Sequence, residues 1–510
     1  MHIPPTRRSR LPLAIVLAST FASFLLAPLY MTHLRQRFER QLPEIWANVT
    51  NNGPFTYVSP FLVSTRNHEE GVYAAKVTQI VRHGLPYDPH NAQDRSLRSW
   101  LFDSLMFYPL APFAWLCGGD VQRGWILAHA TFGTLWVLCL YILFLHITKD
   151  SRYSLFFATG TFFFIDSLEW IFISLLPGLA RGNPGDMLFH LAARAAGEIQ
   201  LMRLPTPGMT YLWLYASLAA VYALSLSPRE KTVTALLAGT AVGLLCLAHF
   251  YEWVLGTTCL ALAFGAARRA DIPPAGRWNV AVAAAAAAFL SVSYYVLARH
   301  LTHDVMTDII MRMGDIRHRS FDAVSLFYFA YALFFFWQAK KRPGPLRWLW
   351  TFGAVQILAS ALLLNIQMVL RYNIQFGHFA VLGALSSAFL LMSRLAELQS
   401  LKKRLQPHIY VLIAAIFGWV GLREKAWSDT HYKIFGTPRD VQDAAQWLNQ
   451  NVPRNSLLLL ISGTLTEFLP LKVQMRYLVF NGAPSFGSPL PTDQNIQGLA
   501  AILKTVRADL

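Results

Sequence analysis

Long runs of apolar residues recur along this chain and alternate with short polar connections. Each run approaches the roughly 20 residues that an α-helix needs to cross a bilayer core of about 30 Å. We place the predicted spans at 11–31, 123–146, 153–176, 208–226, 232–251, 254–267, 279–299, 324–339, 348–368, 376–393 and 409–423, with the sixth and eighth short. The pattern predicts an α-helical polytopic membrane protein with about eleven transmembrane helices.

Composition agrees with this interpretation. Of the 510 residues, 54% are hydrophobic and only 14% are charged, whereas soluble domains carry about 25% charged residues. The net charge of +16 would suggest a nucleic-acid partner in a soluble protein, but here the basic residues lie in short loops between apolar runs. We therefore expect membrane lipids and no nucleic acid as partners. The four cysteines form no CxxC pair and predict free thiols.

The distribution of Lys and Arg predicts the orientation. A basic N-terminus precedes the first run, which is long enough to remain as a membrane helix rather than a cleaved signal. With this end in the cytoplasm, every connection on the same side is short and basic, so we expect an odd number of helices and a C-terminus outside. The membrane is expected to be a bacterial inner membrane. The inside connections contain Lys149 and Arg152; Arg229 and Lys231; Arg268, Arg269 and Arg277; Lys340, Lys341, Arg342 and Arg347; and Arg394, Lys402, Lys403 and Arg404.

The outside segments are longer and mixed in charge, at about 32–122, 177–207, 300–323 and from 424 onwards. The tail contains an apolar helix face of Val441, Ala444, Ala445 and Leu448, followed by "SLLLLIS", which is typical of a buried strand. We expect a transmembrane domain over 1–423 and a small extracytoplasmic α/β domain over 424–510, which the chain need not contain in full.

The first outer loop contains two stretches with helical periodicity. Tyr73, Val77, Ile80 and Val81 share one face, and Lys76 lies elsewhere on the wheel. Such patterns predict amphipathic helices lying flat on the membrane surface. The second stretch contains Leu97, Trp100, Leu101, Leu105 and Tyr108.

Several carboxylates are candidates for chemistry. Glu69 and Glu70 lie at the start of the first amphipathic helix, where negative charge is also favoured by the helix dipole alone. Asp166 and Glu169 fall in the outer half of the third span, where a carboxylate is costly and is by default a functional candidate. The alternatives are a structural partner for a buried Arg, or a span that ends earlier.

Other candidates lie near the outer membrane boundary. Arg203 and Arg371 could each bind a phosphate through two parallel hydrogen bonds, or could simply extend to the lipid headgroups. His249 and Glu252 are one helical turn apart at the outer turn between spans five and six. Together with His378 and the Lys76 already described, they are further pocket candidates.

The first outer loop resembles that of the GT-C glycosyltransferases, polytopic enzymes that take sugars from polyprenyl-phosphate carriers. The resemblance covers "HEEGVYAAKVTQIVRHGLPYDP" and "MFYPLAPF", the topology, and "AAQWLNQNVPRNSLLLL" in the tail. The first acidic position, commonly Asp in that family, is Glu69 here. The matching positions are Glu69, Glu70, Tyr73, Gly84, Pro86, Tyr87, Tyr108, Pro109 and Pro112.

This resemblance implies an inverting sugar transferase with a polyprenyl-phosphate sugar as donor, and a glycan, lipid or protein as acceptor outside the cell. It implies Glu69 and Glu70 as catalytic residues, Asp166 and Glu169 as second acidic or metal ligands, and a divalent cation (Mg²⁺ or Mn²⁺) as the candidate cofactor. The chain has no P-loop, GxGxxG, HExxH or GxSxG pattern, hence no sign of nucleotide use. A lipid or polysaccharide transporter or flippase, and a non-catalytic export or assembly subunit, are the alternatives.

Overall fold

A computed structural model of the protein describes residues 7–41, 69–86, 104–165, 204, 206–301, 324–366, 368, 378–431, 439–453, 456–460, 473 and 476–479. Most of these residues are helical. The helices are α1 (Arg7–Gln41), α2 (Glu69–His83), α3 (Ala111–Leu116), α4 (Val121–Thr148), α5 (Ser151–Phe163), α6 (Gly208–Ser225), α7 (Thr232–Gly243), α8 (Phe250–Ala267), α9 (Pro274–Leu301), α10 (Val324–Lys340), α11 (Gly344–Leu363), α12 (His378–Glu397), α13 (Gln399–Leu405), α14 (Ile409–His431) and α15 (Arg439–Asn451). Short 3₁₀ turns cover Tyr108–Leu110, Leu244–Leu247 and Gln406–His408.

Each predicted span coincides, at least in part, with a described helix. Six helical segments among the described residues are long and apolar enough to cross a membrane, and the apolar helices Leu11–Leu26 and Thr232–Leu247 are shorter. The polytopic helical architecture is therefore confirmed, and the count of eleven spans stays a prediction. The six are Val121–Thr148, Phe250–Ala267, Pro274–His300, Gly344–Leu363, His378–Glu397 and Gln399–Ala426.

The predicted fifth span, 232–251, ends too late. The helix α7 stops at Gly243, a 3₁₀ turn follows, and His249 adopts an extended backbone (φ −161°, ψ 129°) immediately before α8 starts at Phe250. An extended residue cannot continue a helical hydrogen-bond ladder. Apolar content alone could not locate this break, because the residues on both sides of it are equally apolar.

The helix predicted in the first outer loop is present as α2, while its position flat on the membrane surface stays a prediction. Lys76 is only 6% exposed, and the apolar residues around it are buried. The helix packs against α3, α4 and the turn Tyr108–Leu110, so protein surrounds the side that the sequence assigned to water. Of the second predicted amphipathic stretch, residues 97–101 lie outside the described part, and Leu105 lies in a turn rather than in a helix.

Helix starts are fixed by side chains that the sequence supplies locally. The Asp120 carboxylate accepts the backbone N–H groups of Gln122 and Arg123 at the start of α4. Asp150 does the same for Arg152 and Tyr153 at the start of α5. Each cap satisfies donors that lack an intrahelical partner, so the chain can reverse direction between α4 and α5 within two residues.

Small residues allow helices to approach closely in the middle of the bundle. A Cβ atom added to Gly239 in α7 would lie 2.1 Å from the carbonyl oxygen of Ala283 in α9, and one added to Gly276 would lie 1.8 Å from that of Ser225. Neither clash could be relieved by side-chain movement alone. The alanine-rich run of the seventh predicted span therefore forms a close-packed face, as is common between membrane helices.

Connections predicted for the same side of the membrane touch one another. On the predicted inner side, Lys402 Nζ lies 3.4 Å from Asp150 Oδ2. Arg342, of a third connection, pairs with Glu397, which belongs to the same connection as Lys402. On the predicted outer side, the backbone N–H of Leu105 donates to the carbonyl of Leu247 at 2.9 Å. The relative sidedness of these loops is thus confirmed, while the cytoplasmic assignment of the basic side stays a prediction.

The C-terminal region contains the helix and strand that its sequence predicts. Helix α15 is followed by β1 (Leu457–Leu460), which pairs in parallel with β2 (Arg476–Val479). The guanidinium of Arg82 in α2 donates to the carbonyl of Val473 at 3.2 Å, so this region contacts the helix of the first outer loop. The boundary at 424 and the extent of the domain stay predictions. All four cysteines of the chain are free thiols.

Candidate active site

A buried carboxylate lies at the start of α8, at the end of the bundle that is predicted to face outwards and is called the outer end. Glu252 is 0% exposed and stands in the first turn of the helix, where the helix dipole favours a negative charge. Its Oε2 makes a short hydrogen bond with Nδ1 of His249, three residues earlier. The sequence places these two residues one turn apart, and the extended backbone of His249 turns the imidazole back towards the carboxylate.

Two threonines from a different connection complete the environment of this carboxylate. The hydroxyl of Thr210 donates to Glu252 Oε1 at 2.5 Å, and that of Thr206 donates to the same oxygen at 3.1 Å. All three side chains are buried. A carboxylate that accepts several hydrogen bonds is stabilised in its ionised form. These two threonines carry no local signal in the sequence, because they meet Glu252 only through tertiary packing.

Aromatic rings form one wall beside the His249–Glu252 pair. The ring of Tyr251 stacks on that of His378 with centroids 4.4 Å apart and planes within 18°, and the rings of His249 and His378 are 6.1 Å apart. The hydroxyl of Tyr211 donates to the backbone carbonyl of His378 at 2.7 Å. This last bond attaches the start of α12 to α6, next to the threonines.

The first outer loop reaches this cluster through its backbone. Leu105 donates to Leu247, two residues before His249. Close by in sequence, the ring of Phe107 contacts both Lys76 of α2, at 5.3 Å from Nζ to the ring centroid, and Tyr73, at 5.9 Å between centroids. The helix that begins at Glu69 is therefore joined to the His249–Glu252 pair by a short stretch of loop.

The structure brings together three of the residues predicted as pocket candidates: His249, Glu252 and His378. Lys76 meets Phe107 instead, among the described contacts. The remaining candidates cannot be placed: Asp166, Glu169, Arg203 and Arg371 lie outside the described residues, as do the side chains of Glu69 and Glu70, although the backbone of α2 begins at Glu69. Sequence reasoning missed Thr206, Thr210 and Tyr251.

The described side chains do not form a complete set of metal ligands. The part of the chain that the structure describes contains no group of three or more His, Cys, Asp or Glu side chains arranged to hold an ion. The His249–Glu252 pair supplies two such groups, and both are engaged with each other. The residues that the sequence offers as metal ligands, Asp166 and Glu169, lie outside the described residues, so the divalent cation stays a prediction.

Comparisons with known proteins give a similarity to solved structures and none to a family model or curated protein. No family model matches this chain, and no curated protein does. Among solved structures, the chain is similar to ArnT from Cupriavidus metallidurans in the apo state, with 12% identity, 82% of each chain covered and a TM-score of 0.48. A likeness at this level does not assign an activity, so any function has to be argued from the site.

Proposed function

We propose that this protein is a membrane glycosyltransferase of the GT-C type that moves a sugar from a polyprenyl-phosphate carrier to an acceptor on the non-cytoplasmic side. The observation that carries this proposal is the meeting of three predicted outer connections at one polar cluster, formed by Thr206, Thr210, His249, Glu252 and His378. The first outer loop adds a fourth, because Leu105 bonds to Leu247 beside this cluster. Helix α2, which begins at the acidic pair, lies beside the loop that reaches the cluster. A polar site at one end of an apolar bundle suits a substrate with a lipid tail and a charged head.

The reaction follows from the chemistry of such a donor. The acceptor hydroxyl oxygen forms a bond to C1 of the sugar while the bond from C1 to the phosphate oxygen breaks, which inverts the configuration. The proton of the hydroxyl passes to Glu69, and the polyprenyl phosphate leaves with the electron pair and the negative charge. A positioned carboxylate can act as this general base, and Glu70 would either help to hold a cation beside the phosphate or serve only as a charge at the start of the helix.

Lys76 has the properties expected of a group that pairs with the departing phosphate. Its side chain is nearly buried, and among the described residues no carboxylate forms an ion pair with it. Burying an ammonium group is costly unless an opposite charge compensates it. A phosphate that enters from the bilayer would provide this charge, and Arg203 and Arg371 are the candidates for planar, two-pronged contacts to the same group.

The test is release of carrier from a defined donor. Purified protein in nanodiscs receives a panel of polyprenyl-phosphate sugars labelled in the sugar, together with candidate acceptors, and free polyprenyl phosphate is measured. A transferase releases the carrier, a flippase moves the donor between leaflets without releasing it, and an assembly subunit does neither. Lys76→Met should weaken donor binding, whereas Lys231→Met, in an exposed inner connection, should not. Failure to release carrier from any donor would refute the proposal.

A further inference from the structure

A cavity lies inside the bundle between α4, α6, α11 and α12. Its walls are mainly apolar, with the aromatic rings of Tyr215, Tyr222, Phe352 and Phe389, and its empty volume is about 350 Å³. A wholly apolar cavity of this kind would stay dry. One part of the wall departs from that pattern, because the amide side chain of Gln356 in α11 also lines the cavity. None of the lining residues carries a charge.

The amide of Gln356 has a hydrogen-bond partner at one end only. The residue is 7% exposed, and its Oε1 accepts the hydroxyl of Ser386 in α12 at 2.7 Å. Within the part of the chain that the structure describes, its amide nitrogen has no protein acceptor. Because Ser386 holds the oxygen, the nitrogen is left for the cavity. An unpaired amide donor in the interior is costly, so the cavity should hold a molecule that can accept from it.

The depth of Gln356 restricts the chemistry of that molecule. At about 1.5 Å per residue, the amide lies about 18 Å from the start of α11 and about 10 Å from its end. Lipid headgroups and ester carbonyls remain near the two boundaries of the hydrocarbon core, which is about 30 Å thick. Prenyl and acyl chains reach this depth but contain no acceptor. Water combines an acceptor oxygen with a size that the cavity admits.

We propose that this cavity is an internal hydration site, in which Gln356 binds water in the middle of the bundle. The phenol of Tyr215 lies beside Ser386 and lines the same cavity, and its oxygen can accept a hydrogen bond from the water that Gln356 binds. A water molecule takes about 30 Å³ in the liquid, so several fit and complete one another's hydrogen bonds. This inference does not depend on the proposed function.

The site would join helices that also form the polar cluster at the outer end. Tyr215 belongs to α6, which carries Thr210, and Ser386 belongs to α12, which begins at His378. A bridging water is nearly as good as a direct hydrogen bond. Water held by Gln356 would therefore link α6, α11 and α12 where apolar contacts otherwise surround them.

Radiolytic labelling of the full chain in nanodiscs tests this proposal. A short X-ray pulse converts bound water into hydroxyl radicals, which oxidise the nearest aromatic rings, and water enriched in heavy oxygen marks the source of the added atom. Mass spectrometry of the peptides should show labelling of Tyr215, Phe352 and Phe389 well above that of Phe162. The ring of Phe162 is the internal reference, because it is fully buried beside that of Phe24.

Gln356→Leu is the main variant, because it keeps a buried side chain of similar size and removes the hydrogen-bonding amide. Labelling of the three cavity rings should fall to the level of Phe162. Gln399→Leu, at an exposed position at the start of α13, is the matched control and should label as wild type does. If Gln356→Leu does not fold, Gln356→Met makes the same change with a more flexible side chain.

Two results would overturn the proposal. If the cavity rings of the wild-type protein label no more than Phe162, the cavity is dry or filled by a hydrocarbon chain, and no water is bound there. If they label in the wild type and equally in Gln356→Leu, the water does not depend on Gln356. Neither result bears on release of the carrier, so the proposed function is judged separately.

Discussion

The ionic contacts at the two ends of the bundle differ in their burial and in their partners. At the outer end, the carboxylate of Glu252 is completely buried, and its ionic partner is a histidine. At the inner end, ion pairs form between Lys or Arg and partly exposed carboxylates, as in Arg342–Glu397 and Lys402–Asp150. The inner pairs join connections that the basic bias already places on one side. The outer carboxylate is held by buried hydrogen bonds, whereas the inner ion pairs remain partly open to solvent.

The sharpest test of this contrast concerns turnover at the outer end. Glu69→Gln keeps the size of the side chain and removes its negative charge. If Glu69 is the general base, turnover should fall by roughly 10²–10⁴-fold, while donor binding and thermal stability stay near those of wild type. Steady-state release of polyprenyl phosphate measures this loss.

Glu70→Gln is the matched control for that change, because successive residues on a helix point about 100° apart and cannot face one cavity equally. It should cost less than Glu69→Gln. Normal turnover in Glu69→Gln would show that Glu69 is not the general base. A larger loss of turnover in Glu70→Gln would indicate that Glu70 is the base.

The next largest effect is expected on stability, at the buried pair. Glu252→Ala removes the acceptor shared by Thr206, Thr210 and His249. Breaking a buried charge pair by deleting one partner costs about 3–5 kcal/mol. Unfolding in mixed micelles with increasing SDS would measure the change, and Glu230→Ala, at an exposed inner position, is its control. A loss of unfolding free energy below about 1 kcal/mol would mean that Glu252 contributes no more than an ordinary charged residue at the start of a helix.

The contacts at the inner end can be predicted from the sequence better than those at the outer end, and the reason is physical. The predicted inner loops are marked by Lys and Arg, a signal that each loop carries by itself, and the contacts among three of them confirm that these three lie at one end of the bundle. The His249–Glu252 spacing was also visible, since one helical turn is a local relation. Thr206 and Thr210 were not, because they lie more than forty residues away along the chain and meet Glu252 only in the folded bundle. The burial of Lys76 was missed likewise, because α3 and α4 cover a face that looks exposed in α2 alone.

At the inner end, the ion pair of Arg342 is expected to matter for stability and not for turnover. Its guanidinium contacts both carboxylate oxygens of Glu397, at 2.6 to 3.1 Å, and stacks 3.6 Å from the ring centroid of Trp350. Arg342→Lys keeps the charge but loses the planar fork and the stacking, which should cost about 1–2 kcal/mol of unfolding free energy. Arg347→Lys, at an exposed position of α11, should be neutral. A loss of turnover without a loss of stability in Arg342→Lys would contradict this expectation.

The smallest effect is expected at Lys402, whose ammonium lies 3.4 Å from Asp150 and 5.9 Å from the ring centroid of Tyr153. Both charged side chains remain 22–25% exposed, so solvent screens the pair, and such pairs contribute about 1 kcal/mol or less. Asp150 also caps α5, so removing its side chain would confuse two effects. Asp150→Asn avoids this problem, because Asn retains the capping oxygen and loses only the charge.

A double-mutant cycle of Lys402→Ala and Asp150→Asn therefore isolates the ion pair. We expect a coupling of about 0.5 kcal/mol in unfolding free energy that shrinks as salt is added, because screening weakens partly exposed pairs. Lys403→Ala, the exposed neighbour, should show no coupling to Asp150→Asn. A coupling above about 2 kcal/mol that persists in salt would mean that the pair is shielded from water, and the inner end would then resemble the outer end rather than contrast with it.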